Sequence, residues 1–82
     1  MRMKHYLTIY DRETERLLPS PFTVPREYLD QVKRIAHVKQ TDPDAIGSYP
    51  LDHTQVNEIA RLLQLPVKAD SRKIFFLEPA PD

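Results

Sequence analysis

The sequence predicts an α+β domain of two layers, ordered ββααβ, with a three-stranded antiparallel sheet and two helices on one face. Three observations predict it. Met3, His5, Leu7 and Ile9 alternate with Lys4, Tyr6, Thr8 and Tyr10, the period of a half-buried strand. Two later stretches, Tyr28 to Ala36 and Val56 to Leu63, place apolar residues at helical spacing. Lys73 to Glu78 is again apolar and aromatic, as a closing strand would be.

Size and composition set the bounds. The chain of 82 residues reads as a single domain, residues 1–82. A chain of this length buries about 60–65% of its unfolded surface, so the core is thin and leaves little room to enclose a large cofactor. Hydrophobic residues make up 40% and charged residues 29%, the balance of an ordinary globular domain. Eight prolines stand against one glycine, which implies loops stiffened by fixed φ. The absence of cysteine excludes disulfides and thiolate metal sites and suits a reducing compartment. No apolar run approaches the roughly 20 residues of a membrane helix, and the N-terminus has no apolar run of signal-peptide length. The expected location is the cytoplasm.

Net charge is zero but unevenly spread. Residues 1–40 carry a net charge of +3 and residues 41–82 carry −3. A nucleic-acid binder is expected to show a net basic domain or a basic stripe, and neither is evident.

In the first strand, Met3, His5, Leu7 and Ile9 form the better core face, which leaves Tyr6 and Tyr10 on the other. Asp11 to Glu15 is a charged turn without glycine, which favours a type I turn. Arg16 to Thr23 reads as the return strand. Pro19 and Pro21 cannot donate to a ladder, so that strand belongs at an edge. Pro25 suits the first position of a helix. Tyr28, Leu29, Val32, Ile35 and Ala36 then fall on one stripe, with Glu27, Asp30, Gln31, Lys33 and Arg34 outside it. The pairs Glu27–Gln31 and Asp30–Arg34 add about 0.2–0.5 kcal/mol each.

The centre of the chain, Thr41 to Leu63, is the densest in turn and cap residues. Asp42-Pro43-Asp44 and Gly47-Ser48-Tyr49-Pro50 act as two stops bounding a compact loop or single helical turn. Asp52 is a good N-cap, Gln55 completes a capping box, and Leu51 with Val56 has staple spacing. Val56, Ile59, Ala60 and Leu63 form the buried stripe of the second helix, and Pro66 closes it. In the last strand Ile74 and Phe76 fall on one face, Phe75 and Leu77 on the other. We expect Phe75 and Leu77 to join Tyr6, Thr8 and Tyr10 on the open face of the sheet, as a contact surface or as half-covered aromatics. The first strand is expected in the middle, paired antiparallel with the last. The tail from Pro79 to Asp82 is expected to fray.

No catalytic or ligand-binding signature is present. His5, His37 and His53 lack partners at metal-ligand spacing, so no metal is expected. Ser20, Ser48 and Ser71 have no nucleophile-elbow setting. A single glycine excludes a Gly-rich phosphate loop or dinucleotide fingerprint, and no cofactor is expected. The carboxylates Asp42, Asp44 and Asp52 do not fit a calcium loop. Asp52 reads as a cap. Asp42 and Asp44 read either as turn formers or as contacts for a basic partner.

The segments HYLTIYDRETERLL, DPDAIGSYPLDHTQVNEIARLL and IFFLEP resemble a small uncharacterised bacterial domain family. Its features fall here on Tyr6 to Thr14, on Asp42-Pro43 with Tyr49-Pro50-Leu51, and on Phe76-Leu77-Glu78. The prolines of the second strand depart from that pattern. In size and plainness the chain also resembles the immunity proteins of contact-dependent growth inhibition and related toxin systems. The resemblance implies a non-enzymatic protein that binds a toxin domain, with no site residue carried over.

Three functions compete. An immunity protein would use stiff loops and carboxylates against a basic toxin cleft. Its candidate contacts are Asp42, Asp44, Ile46, Tyr49, His53 and Glu58. A nucleic-acid or regulatory binding module would use Tyr6 and Tyr10 as a stacking platform, with Arg2, Lys4, Arg12, Arg16, Lys33 and Arg34 for phosphates. An enzyme would need a constellation assembled only by folding.

Overall fold

A computed structural model describes residues 3–18 and 21–81. Its sheet is built from β1 (Met3–Asp11), β2 (Phe22–Val24), β3 (Tyr49–Leu51) and β4 (Lys73–Pro81). The spatial order is β2-β1-β4-β3, with every pairing antiparallel. A short 3-10 helix, Arg26–Tyr28, leads into α1 (Leu29–Ala36), and α2 (His53–Leu63) follows β3.

The expected class and the inner position of the first strand both hold. β1 pairs with β4 along its full length, from Met3 opposite Pro81 to Asp11 opposite Lys73. The sheet has four strands rather than three. The additional strand is Tyr49-Pro50-Leu51, which joins the end of the expected stop, Tyr49-Pro50, to the staple residue Leu51. Proline is tolerated there because β3 lies at the edge, where a missing N–H breaks no inner ladder. Pro50 also blunts that edge against further pairing.

The tail is corrected as well. Pro79, Ala80 and Pro81 continue β4 opposite His5, Lys4 and Met3. β3 covers β4 only from Phe75 to Leu77, so the outer edge beyond is free to hold residues without an N–H. Asp82 lies outside the described residues.

The facing of the last strand is the reverse of the expectation. Directly opposed residues of an antiparallel pair share a face. Leu7 stands opposite Leu77 and Ile9 opposite Phe75. Phe75 and Leu77 are therefore core residues, 2% and 1% exposed. Ile74, Phe76 and Glu78 share the open face with Tyr10, Thr8 and Tyr6.

The expected return strand is shortened to β2, which pairs Phe22, Thr23 and Val24 with β1. Before it, Leu17 makes a single bridge to Tyr10. Pro19 lies outside the described residues, and Pro21 precedes the strand in an exposed position. The connecting turn is held by Asp11, whose Oδ1 accepts from the backbone N–H of Glu13 (2.9 Å) and Thr14 (3.0 Å). With no glycine available, Glu15 itself takes the left-handed conformation, φ 59°.

Both helices contribute to one core. Val32 and Ala36 of α1 join Val56 and Ile59 of α2, and together they pack with Leu7, Leu51, Phe75 and Leu77 of the sheet. The expected capping box is present: Asp52 Oδ1 accepts from Gln55 N, and Gln55 Oε1 accepts from Asp52 N, each at 2.8 Å. Gln55 Nε2 also donates to the carbonyl of Ile35 at 2.8 Å. The first turn of α2 is thereby tied to the last turn of α1. No helix of the described residues is long and apolar enough to cross a membrane.

Candidate functional site

Two surfaces draw together the polar side chains that folding places. One is the loop of residues 41–48 between α1 and β3. The other is the open face of the sheet.

The loop is organised around Asp42. Its Oδ1 accepts from the backbone N–H of Ile46 (2.9 Å). Its Oδ2 accepts from the N–H of Gly47 (2.9 Å) and from the Tyr49 hydroxyl (2.6 Å). The Tyr49 bond, then those from Gly47 and Ile46, hold the Asp42 carboxyl below its usual range. The same bond pushes the Tyr49 phenol up. Gly47 suits this close approach, because any side chain there would press on the Asp42 carboxylate. A Cβ at that position would lie 3.3 Å from Asp42 Oδ2 and 3.5 Å from the Tyr49 ring.

Neighbouring elements satisfy the loop's carbonyls. His5 reaches across from β1, and its Nε2 donates to the carbonyls of Asp44 (3.0 Å) and Ala45 (3.1 Å). Both acceptors are carbonyl oxygens, so Nε2 carries the proton. Lys33 of α1 donates to the carbonyl of Pro43. Ala45 adopts φ 51° and is fully buried, so its methyl anchors the loop in the core. The result is a short loop pinned from β1, α1 and β3.

The sequence candidates are thus separated. Asp42 and Tyr49 face each other and brace the loop from within. Asp44 and Ile46 lie on its outer side, with Ile46 61% exposed. His53 stands exposed at the start of α2. Glu58 lies apart, in a groove between the helices lined by Gln31, Arg34, Arg61 and Leu62. Among the described residues, no three His, Asp or Glu side chains are placed to share a metal ion.

On the open face the centre is Glu78, which sequence reasoning did not single out. Its Oε1 accepts from Thr8 Oγ1 (2.5 Å) and the Tyr10 hydroxyl (2.8 Å), and its Oε2 from Ser48 Oγ (2.9 Å). Burial pulls the Glu78 carboxyl up, but the bonds from Thr8, Tyr10 and Ser48 together outweigh it, so the group sits below its usual range. The bond to Glu78, with desolvation, pushes the Tyr10 phenol up. Tyr10 meets Phe76 edge to face, with ring centroids 5.5 Å apart and an interplanar angle of 88°. These rings, with Glu15, Ile74 and Glu78, line an open cleft of about 260 Å³. The one available signal was period-2 alternation. Once Phe75 and Leu77 are turned inward, Glu78 must stand on the aromatic face.

Comparison with curated proteins and with solved structures returns no match. A family match spans residues 4–78, from β1 through to Glu78 in β4, and so takes in every element of the fold. The chain accordingly belongs to DUF7683, a domain of unknown function.

Proposed function

We propose that this protein is an immunity protein, which binds a cognate bacterial toxin domain in the cytoplasm and neutralises it without catalysis of its own. The observation that carries this reading is the braced loop of residues 41–48. It presents Ile46 at 61% exposure, flanked by the exposed carboxylate of Asp44, on a backbone that Asp42, His5 and Lys33 hold in place. A preformed loop loses little entropy on binding, so an apolar anchor on it contributes more to affinity. The Asp44 carboxylate would favour encounter with the basic cleft of a nuclease-type toxin. Asp44, Ile46 and His53 are the contacts on this reading. Asp42 and Tyr49 support them, and Glu58 forms a separate periphery.

The alternative, a nucleic-acid or regulatory module on the tyrosine face, has less support. That face is centred on the Glu78 carboxylate, with Glu15 beside it, and both would repel a phosphate backbone.

The test is co-expression with the product of the gene immediately upstream. A stable complex and protection from toxicity are expected. Ile46→Asp and Asp44→Lys should each weaken the complex by about tenfold or more while leaving the Tm nearly unchanged. Absence of both complex and protection would sink the reading.

A further inference from the structure

The open-face cleft lies on the side of the sheet opposite the helices, and the loop reading above does not use it. Three features define what it can hold. The first is a carboxylate with one place left. A carboxylate has about four acceptor positions. Thr8 and Tyr10 take two on Glu78 Oε1, and Ser48 takes one on Oε2, which leaves one on Oε2. Its geometry is fixed by hydroxyls from β1 and from the residue before β3, so the remaining acceptor position is preset. The second is an aromatic wall. Tyr10 and Phe76 meet edge to face beside that carboxylate, and Ile74 extends the apolar surface. The third is charge. Among the described residues, the cleft's lining includes two carboxylates, Glu15 and Glu78, and no basic side chain.

We propose that this cleft receives an arginine side chain presented by a protein partner, its guanidinium stacked against Tyr10 and Phe76 and donating to Glu78, with Glu15 at the rim. The complementarity is specific to that chemistry. An anion would meet two carboxylates. A neutral polar group would leave their charge unanswered. A lysine ammonium is compact and strongly hydrated, whereas a guanidinium is planar, weakly hydrated and able to stack and donate at once. This site is independent of the toxin reading, because it needs only a partner that presents an arginine.

The test is a titration of the full-length protein with the blocked peptide acetyl-Gly-Arg-Gly-amide, followed by the NMR signals of the Tyr10 and Phe76 rings. The expected result is saturable shifts at millimolar concentration. The same peptide with citrulline, the neutral isostere, should give no saturable shift, and the lysine peptide should bind several-fold more weakly. Glu78→Gln and Phe76→Leu should each weaken the arginine peptide by about five- to tenfold. Glu15→Gln at the rim should weaken it by about twofold. Thermal unfolding of each variant separates loss of the site from loss of the fold, and Glu15→Gln keeps the test open should Glu78→Gln unfold. Equal binding of the citrulline peptide would overturn the proposal. So would shifts that leave Tyr10 and Phe76 untouched, or tighter binding of free arginine than of the blocked peptide.

Discussion

The Tyr49 hydroxyl donates to Asp42 Oδ2 at 2.6 Å, joining the first residue of β3 to a carboxylate seven positions earlier that also caps two backbone N–H groups. The contact converts a turn into a strut. It fixes where the chain enters the sheet edge, and it fixes the outward direction of Asp44 and Ile46. Neighbouring acidic residues therefore carry opposite consequences when changed.

Asp42→Ala removes three acceptor contacts and should lower the Tm more than Tyr49→Phe, which removes one. For a domain of this size each kcal/mol lost should lower the Tm by about 4–8 °C. Asp44→Lys should leave the Tm nearly unchanged. In the double variant Asp42→Ala, Tyr49→Phe the losses should be less than additive, because the two residues share one bond. Thermal denaturation followed by circular dichroism measures all of these.

His5→Leu should destabilise by about 1–3 kcal/mol, because it leaves the buried carbonyl of Ala45 and the part-buried carbonyl of Asp44 without this donor while keeping the apolar bulk. The loop should become the first site of proteolytic nicking. Limited proteolysis with mass mapping would show cleavage within residues 41–48 in the variant and not in the parent.

Phe75→Ala should cost about 3–5 kcal/mol, and Leu7→Ala about 2–5 kcal/mol. Both side chains are fully buried where the helices meet the sheet. Against a total stability of about 5–15 kcal/mol, either loss should leave a measurable unfolded population. The discriminating comparison is Phe76→Ala, which lies on the open face and should cost clearly less. Urea denaturation midpoints decide it. Equal costs at the two positions would contradict the facing of β4.

Stability should fall in acid, and the sign follows from the carboxylates. Asp11, Asp42, Asp70 and Glu78 all sit below their usual values. Depressed folded-state values stabilise fully above the unfolded range of about pH 4 and are lost as pH falls through the folded values. Tyr10 and Tyr49 behave oppositely, being raised. Their contribution is present below about pH 10 and is lost as pH rises through the folded values. Urea midpoints across pH, with phenolate absorbance at the alkaline end, should give a plateau falling at both sides. Asp42→Asn should flatten the acid limb.

Gln55→Ala should destabilise beyond the usual cap loss of about 0.5–2 kcal/mol. It removes the capping box and the bond to the Ile35 carbonyl together. Gln55→Glu keeps the box but loses the donor, so it should fall between the two. Hydrogen exchange of the last turn of α1 should rise in both variants.

The helices were the most legible parts of the chain. Asp52, Gln55 and the stripe of Val56, Ile59 and Ala60 carry their reasons within a few residues of one another. β1 was equally plain, because His5, Leu7 and Ile9 bury one face of it. β3 was hidden because a three-residue strand holding a proline has no periodicity to read. It exists only because the edge of β4 is there to receive it. The candidate site was legible in part. Asp42 and Tyr49 were marked as notable, but their mutual bond was not, and turn former and partner contact look alike in sequence. Glu78 was missed because its partners Thr8 and Tyr10 lie about seventy positions away.

Local chemistry by itself determined the α+β class, the capped second helix, the alternation of the first strand and the absence of any recognisable catalytic motif. Those properties depend on near neighbours along the chain. Only the tertiary structure decided the fourth strand, the inward turn of Phe75 and Leu77, and the two polar centres at Asp42 and Glu78. The physical reason is register. Once Leu7 stands opposite Leu77, every side chain of β4 is assigned a face, and the carboxylate of Glu78 is brought among the tyrosines.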